Sequence, residues 1–139
     1  MTTIPLGITG SFTLDVKPEH LASQVKNPTL PHVLATPVMI LAMENAALSA
    51  IADYLEPGER AVGTAIDVRH LAATPVGLRV VATAVVTKVD GQHIVFDVTA
   101  HDGIEEIGKG THQRMVIDLH RLQQRLDAKS ARAAATREN

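Results

Sequence analysis

Hydrophobic periodicity divides the chain into one helical segment followed by several extended ones. Residues 35–48, ATPVMILAMENAAL, are almost entirely apolar and have helical spacing. Thr36 stands at the N-cap position and Pro37 in the first turn, where its missing N–H does no harm. We expect the helix to continue to about Leu55, where EPGE ends it. Residues 6–16 alternate loosely and predict a strand before the helix.

After the helix the apolar period changes from 3.6 to 2. This predicts four strands, at residues 60–72, 78–89, 93–101 and 106–119. TPVG and two DG pairs separate them and are turn signals, which favours an antiparallel meander. One long helix with one antiparallel sheet is the α+β class. Because the helix is apolar almost all round, we expect the sheet to wrap around it, as in a hot-dog fold.

The end of the chain differs from the rest in composition. Residues 1–120 are predicted to form a single domain, a size that can bury a substantial core. Residues 121–139 hold five Arg or Lys against two acidic residues. They predict a polar, basic tail whose first part is helical and whose last ten residues are frayed.

Composition excludes several classes of function. The chain has no cysteine, so disulfides, thiolate zinc sites and a cysteine nucleophile are excluded. A net charge of −2 and the absence of tryptophan argue against a nucleic-acid partner. The longest apolar run, residues 37–43, is too short to cross a membrane, and the N-terminus lacks a signal-peptide pattern. We therefore expect a cytoplasmic protein. The seven histidines lack metal-ligand spacing, so neither a metal nor a cofactor is expected.

Glu44 is an unusual residue for the middle of this helix. On a helical wheel, the residues within about 60° of Glu44 are apolar: Ile40, Leu41, Leu48 and Ile51. A lone carboxylate in such surroundings is costly, so it requires a partner, a water-filled pocket or a second subunit.

His70 is a candidate for that partner. In the strand 60–72, the even positions form a mostly apolar face that ends in His70, while Asp67 and Arg69 occupy the other face. A carboxylate beside an imidazole is common in acid–base catalysis. Thr36 adds a hydroxyl near the helix N-terminus. The alternative is structural: Glu44 in an ion pair, His70 in the core and Thr36 as an N-cap.

Four segments, ATPVMILAMENAA, YLEPGE, GTAIDVRHLAATPVGLRV and AHDGIEEIGKGTHQRMVI, together resemble a known family. They are similar to hot-dog-fold acyl-CoA thioesterases, most closely the fluoroacetyl-CoA thioesterase group, over about residues 31–119. The resemblance implies a catalytic set of Thr36, Glu44 and His70. Glu44 would act as nucleophile or as base on water, His70 as general acid–base, and Thr36 would position the carboxylate or the thioester.

The same resemblance implies the substrate contacts. The backbone N–H of Gly63 and the side chain of Arg114 would hold the carbonyl end of the substrate. Leu30 and Asn27 stand in the loop where the fluoroacetyl enzyme carries aromatic residues, so a short or medium acyl-CoA is the expected substrate. Coenzyme A would be part of the substrate, not a cofactor. A homodimer joined edge to edge is also expected, because the predicted edge strands are rich in Val and Ala.

Two other functions remain open from the sequence. The first is a non-catalytic acyl-CoA binding module in which Glu44 and His70 form a structural pair. The second is an acyl-CoA hydratase or dehydratase, which is less favoured because the motifs known for those enzymes are absent. Thioester hydrolysis needs a nucleophile and oxyanion stabilisation but little help for the leaving thiolate, and these residues suit it.

Overall fold

One long helix packs against a five-stranded sheet in the computed structural model, which describes residues 1–138. The strands are β1 Thr9–Asp15, β2 Glu59–His70, β3 Arg79–Asp90, β4 His93–His101 and β5 Glu106–Asp118. The helices are α1 Ala22–Val25, α2 Thr36–Ile51 and α3 Leu119–Glu138, with 3₁₀ turns at Pro18–His20 and Ala52–Tyr54. The predicted α+β class and the alternation of elements are confirmed.

The strand order departs from the expected meander. All neighbours are antiparallel and the order is β1-β3-β4-β5-β2. The prediction is right for β3, β4 and β5 but wrong for β2, which pairs with β5 at the far edge. The connection of residues 71–78 causes this, because it is much longer than a two-residue hairpin turn and carries the chain across the end of the sheet. β2 is therefore an edge strand.

Helix α2 buries one stripe of small and flexible side chains against the sheet. These residues are Met39, Ala42, Met43, Ala46, Ala47 and Ala50. Gly10 in β1 permits the close approach, since a Cβ there would collide with the backbone of Ala46 and Ala50. The expectation of an enclosed helix is wrong, because Leu41 is 53% exposed. The stripe centred on Glu44 is buried unevenly: Ile51 lies in the core, Ile40 and Leu48 are partly buried, and Leu41 is exposed.

The chain after β5 continues as the single helix α3 to Glu138. The sequence predicts a short helix and a frayed end, whereas Ala, Arg, Leu and Lys, all good helix formers, sustain the helix throughout. The Asp118 carboxylate accepts the backbone N–H of Arg121 at 2.9 Å and supports its first turn. Asn139 lies outside the described residues. Among the helices described, none is long and apolar enough to cross a membrane.

Candidate active site

A β-bulge in β2 determines which side chains face the helix. The register shifts between Gly63 and Ala65, which inserts one extra residue and reverses the alternation. Ala61 is buried before the bulge, whereas Val62 is 36% exposed. The expectation that every even position of the strand shares one face is therefore wrong. Because of the bulge, the odd-numbered Gly63 and the even-numbered His70 both lie on the face of β2 that α2 covers.

Glu44 is paired with Arg114. The Arg114 Nη1 donates to Glu44 Oε2 at 3.3 Å, and its Nε and Nη2 donate to the carbonyl of Ala61 at 3.2 and 2.8 Å. The Arg114 side chain is 8% exposed and that of Glu44 is 36% exposed. Burial lowers the pKa of Arg114, and Glu44 acts in the opposite direction. The expected pairing of Glu44 with His70 is thus wrong within one chain.

His112 is a site residue that the sequence analysis did not select. Its Nδ1 lies 2.8 Å from the carbonyl oxygen of Ala65, and its Nε2 lies 3.0 Å from Arg114 Nη1. The ring is 1% exposed and stacks on Phe96 with the centroids 5.9 Å apart. One signal was available: His112 and Arg114 alternate on β5, so they project from the same face.

Gly63 allows the backbone of β2 to approach the carboxylate. A Cβ at this position would lie at a tight 3.1 Å from Glu44 Oε2 and at an ordinary contact distance of 3.5 Å from Arg114 Nη1, so any other residue would shift the carboxylate by a few tenths of an ångström. A cavity of about 300 Å³ is lined here by Glu44, Gly63, Thr64, Ala65, Ile66 and His112. We call Glu44, Gly63, His112 and Arg114 the carboxylate cluster.

Thr36 and His70 form a separate pair. The Thr36 hydroxyl lies 2.8 Å from His70 Nδ1. It does not cap α2, because Ala35 is the N-cap residue and no side chain caps the helix there. The Nε2 of His70 is buried and has no hydrogen-bond partner within residues 1–138. Burial lowers the pKa of His70; the backbone of Ala72 favours the protonated ring but does not reach hydrogen-bonding geometry with Nε2.

This threonine–histidine pair lies in a cavity of about 380 Å³ whose lining residues are mostly apolar but whose exposed surface is about equally polar and apolar. Its lining includes Ala22, Leu30, Val33, Leu34, Leu71 and Ala72, together with the cation of Lys26. The structure therefore brings Leu30 into the same cavity as Thr36 and His70. A pocket of this composition suits an acyl chain that ends near an imidazole.

A buried carboxylate fixes the two loops that carry the pair. The Thr74 hydroxyl donates to Asp102 Oδ2 at 2.9 Å, and the Thr74 carbonyl accepts the N–H of Leu34 at 2.8 Å. Asp102 is 4% exposed and Thr74 is fully buried. The loop before α2 and the loop after β2 are thereby held together, which sets the distance between Thr36 and His70.

Within one chain the carboxylate cluster and the threonine–histidine pair are distinct. Thr36 and Glu44 are separated by two turns of α2, about 12 Å of helix rise. No hydrogen bond joins Glu44 to His70 in the described part of the chain, and the two residues line different cavities. The expectation that they share a site is not met by a single copy.

Metal-ligating side chains are not grouped at either place. In residues 1–138, no three His, Cys, Asp or Glu side chains are arranged to hold a metal ion. The carboxylate cluster groups the ionisable side chains of Glu44, His112 and Arg114, whereas the threonine–histidine pair has one ionisable side chain, His70.

Comparison with known proteins identifies the family. Residues 16–120 match the family model described as fluoroacetyl-CoA-specific thioesterase. The chain belongs to this family. The fluoroacetyl-CoA thioesterase of Streptantibioticus cattleyicolor is 49% identical over 100 residues, which is 72% of each chain.

Solved structures agree with this membership of the fluoroacetyl-CoA-specific thioesterase family. A fluoroacetyl-CoA thioesterase structure superposes with a TM-score of 0.86 at 39% identity, covering 91% of this chain and 98% of that one. A thioesterase superfamily member from Thermus thermophilus gives 0.91 at 28% identity, covering 97% and 99%. The predicted hot-dog fold, the family resemblance and the class of thioester hydrolase are confirmed.

Proposed function

We propose that this protein hydrolyses short or medium acyl-CoA thioesters with Glu44 and His70 as catalytic residues. The observation that carries the proposal is the buried Nε2 of His70, which has no hydrogen-bond partner among residues 1–138 and belongs to a residue that lines a cavity. A buried polar atom without a partner is costly, so a ligand group is expected to complete its hydrogen bonding. Family membership supports the substrate class, since mutants of the related enzyme are described in complex with acetyl-CoA and with fluoroacetate.

Each residue has a defined part in the proposed reaction. Glu44 adds to the thioester carbonyl carbon, or removes a proton from the water that adds to it. Arg114 neutralises and orients the carboxylate, and the Gly63 N–H donates to the carbonyl oxygen as it becomes an oxyanion. The C–S bond then breaks and the sulfur leaves as a thiolate. In the covalent route, water that loses a proton to the neutral His70 hydrolyses the glutamyl anhydride and frees Glu44, and the imidazolium returns that proton to the thiolate. Thr36 holds the imidazole through Nδ1.

Water labelled with ¹⁸O separates the two roles of Glu44. A covalent glutamyl anhydride that is hydrolysed at the Glu44 carbonyl leaves the label in the Glu44 side chain after one turnover, whereas a general base leaves it only in the released acid. Mass spectrometry of the peptide that contains Glu44 detects the difference. An anhydride hydrolysed at the acyl carbonyl would also label only the acid, so mass spectrometry of the acid-quenched protein is the second measurement: an acyl group on Glu44 supports the covalent route, and its absence together with label only in the acid supports the general base.

The proposal requires a homodimer, because Glu44 and His70 are apart in one chain. β2 is an edge strand with a free backbone edge, and it carries both Gly63 and His70. Antiparallel pairing of β2 with a second copy, around a two-fold axis at Asp67 and with the bulge residue Thr64 unpaired, places Gly63 of one copy opposite His70 of the other. The same contact covers Val62 and Ile66, which are 36% and 41% exposed.

Thiol release from a series of acyl-CoA esters tests the activity. The series runs through acetyl, fluoroacetyl, propionyl, butyryl, hexanoyl and phenylacetyl esters. We expect Glu44→Gln and His70→Ala each to reduce turnover by about 10²–10⁴-fold, the usual range for a general acid or base. The His70→Ala variant should keep the melting temperature of the wild type, whereas Glu44→Gln should lower it slightly, because it removes the charge that faces the buried Arg114. Release from no ester, with acyl-CoA binding intact, would establish the binding module instead.

Subunit complementation tests the shared site. A refolded 1:1 mixture of Glu44→Gln and His70→Ala should recover about a quarter of wild-type turnover, because half the dimers are mixed and each holds one intact site. The Glu44→Gln, His70→Ala double variant mixed with wild type is the control, since it dilutes activity without creating an intact site across two defective copies. A mixture as inactive as its two components would show that each copy works alone.

A further inference from the structure

We propose that His112 is a positioning residue that aims the guanidinium of Arg114 at Glu44, and that it does so only as a neutral ring protonated on Nδ1. The proposal rests on the proposed function, because the group it positions is the catalytic carboxylate. It assigns a role to a buried imidazole that the reaction itself does not use.

The guanidinium of Arg114 is oriented by three acceptors. Its Nε and Nη2 donate to the Ala61 carbonyl, while Nη1 donates both to His112 Nε2 at 3.0 Å and to Glu44 Oε2 at 3.3 Å. A guanidinium is planar and its donors have a fixed fork geometry. The two donors to Ala61 end on a single oxygen, so the plane can still pivot about that atom. The hydrogen bond to His112 then determines the direction in which Nη1 points. Without His112, Nη1 has only the half-exposed carboxylate to hold it.

The hydrogen bonds define the tautomer of His112. The Ala65 carbonyl can only accept, so Nδ1 carries the hydrogen, at a distance of 2.8 Å. Arg114 can only donate, so Nε2 presents its lone pair. Protonation of Nε2 would set two N–H groups and two positive charges against each other at 3.0 Å. The ring can therefore support Arg114 only while it is neutral.

The surroundings of the ring favour the neutral form. Burial is the main cause that lowers the pKa of His112; Ala65 raises it, Arg114 lowers it and Glu44 raises it, and the net shift is downward. From β4 the ring meets Phe96, which is apolar, and from β2 it meets Gly63 and Ala65. The charged groups that face it are Arg114 on its own strand and Glu44 on α2.

His112 also joins the two halves of the carboxylate cluster. Its Nδ1 holds Ala65, the residue that follows the bulge, and its Cε1 lies 3.5 Å from where a Cβ of Gly63 would stand. Its Nε2 holds Arg114. The His112 ring thus holds two groups at a fixed spacing. One is the backbone near Gly63, whose N–H is proposed to donate to the oxyanion, and the other is Arg114, which orients the Glu44 carboxylate.

Two amide substitutions separate the two hydrogen bonds. In His112→Gln the longer side chain places its amide oxygen near the position of Nε2, so it still accepts from Arg114. In His112→Asn the amide reaches only the position of Nδ1, so it can donate to Ala65 but leaves Arg114 unsupported. We expect His112→Asn to lower kcat by about 10–100-fold with little change in KM, the range typical when a group that orients a reactive residue is lost. His112→Gln should keep a kcat close to that of the wild type, because its amide oxygen still accepts from Arg114.

Three outcomes would overturn the proposal: both variants active, both equally impaired, or the glutamine variant alone impaired. The last would assign the role to the Ala65 contact. A wild type inactive on every ester would instead contradict the proposed function. The ¹⁵N chemical shifts of the His112 ring are independent of activity. They should report a neutral Nδ1–H tautomer at pH 7, and a charged or Nε2–H ring would refute the positioning geometry.

Discussion

The carboxylate cluster and the threonine–histidine pair contain similar groups but differ in how completely the fold satisfies them. In the cluster, Arg114 donates to three acceptors and both nitrogens of His112 are engaged. In the pair, Thr36 occupies one nitrogen of His70 and the other is buried without a partner in the described residues. Within a single chain the hydrogen bonds of Arg114 and His112 are satisfied, whereas Nε2 of His70 still needs a partner from a ligand or from a second copy.

The difference in hydrogen-bond satisfaction predicts which region contributes to stability and which contributes to activity. Polar atoms that a fold satisfies internally contribute to the native state, and their loss leaves buried groups unpaired. A buried polar atom that the fold leaves unsatisfied lowers stability, so its presence in a cavity favours a role in binding or catalysis. We expect substitutions in the cluster to affect folding and turnover together, and those in the pair to affect turnover alone.

Arg114→Met should have the largest effect. It leaves the Ala61 carbonyl and His112 Nε2 without donors, at a cost of about 1–3 kcal/mol for each buried group. Urea denaturation should show this loss, and turnover should fall with it because Glu44 is no longer oriented. Arg79→Met is the matched control, since its pair with Asp15 is exposed and should contribute little. Equal stability of the two variants would contradict the distinction between the regions.

Thr36→Val should lower turnover with a smaller effect on folding. The substitution keeps the shape of the side chain and removes the hydrogen bond to His70, which is worth about 0.5–1.5 kcal/mol. We expect thiol release to fall by about tenfold or more, because the imidazole loses the group that orients it. Thr36→Ser keeps the hydroxyl and should restore most of the activity. A serine variant as slow as the valine variant would remove the hydroxyl from the mechanism.

The smallest effect is expected in the pH dependence of stability. His70 and His112 both have a pKa below the ordinary 6.5, with burial as the main cause. In this range the unfolded chain binds more protons than the folded one, so the free energy of unfolding should decrease as the pH falls below about 6.5. It should level off once the pH is below the folded pKa values.

Urea denaturation between about pH 5.5 and 7.5 measures this dependence. His70→Gln and His112→Gln should each flatten it, because glutamine does not titrate. His93→Gln is the control, since this histidine is exposed at the start of β4. A slope unchanged in both site variants would assign the dependence to other groups.

Much of the fold could be predicted because hydrophobic periodicity is a local property. The apolar run of α2 and the period-2 strands β2–β5 lie within a few residues of their expected positions. The family motifs are also local, and they placed Thr36, Glu44 and His70 on the correct elements. The sequence by itself therefore determined the fold class, the family and which residue types could take part in chemistry.

Only the tertiary structure decided how those residues are grouped. The pairing of β2 with β5, the bulge at Gly63 and Ala65, and the contact of Arg114 with Glu44 join segments far apart in the chain. A bulge of one residue reverses a strand's faces without changing its composition. His112 was missed because its role comes from three contacts with other residues. Such long-range pairings depend on the whole packed chain, which local periodicity does not encode.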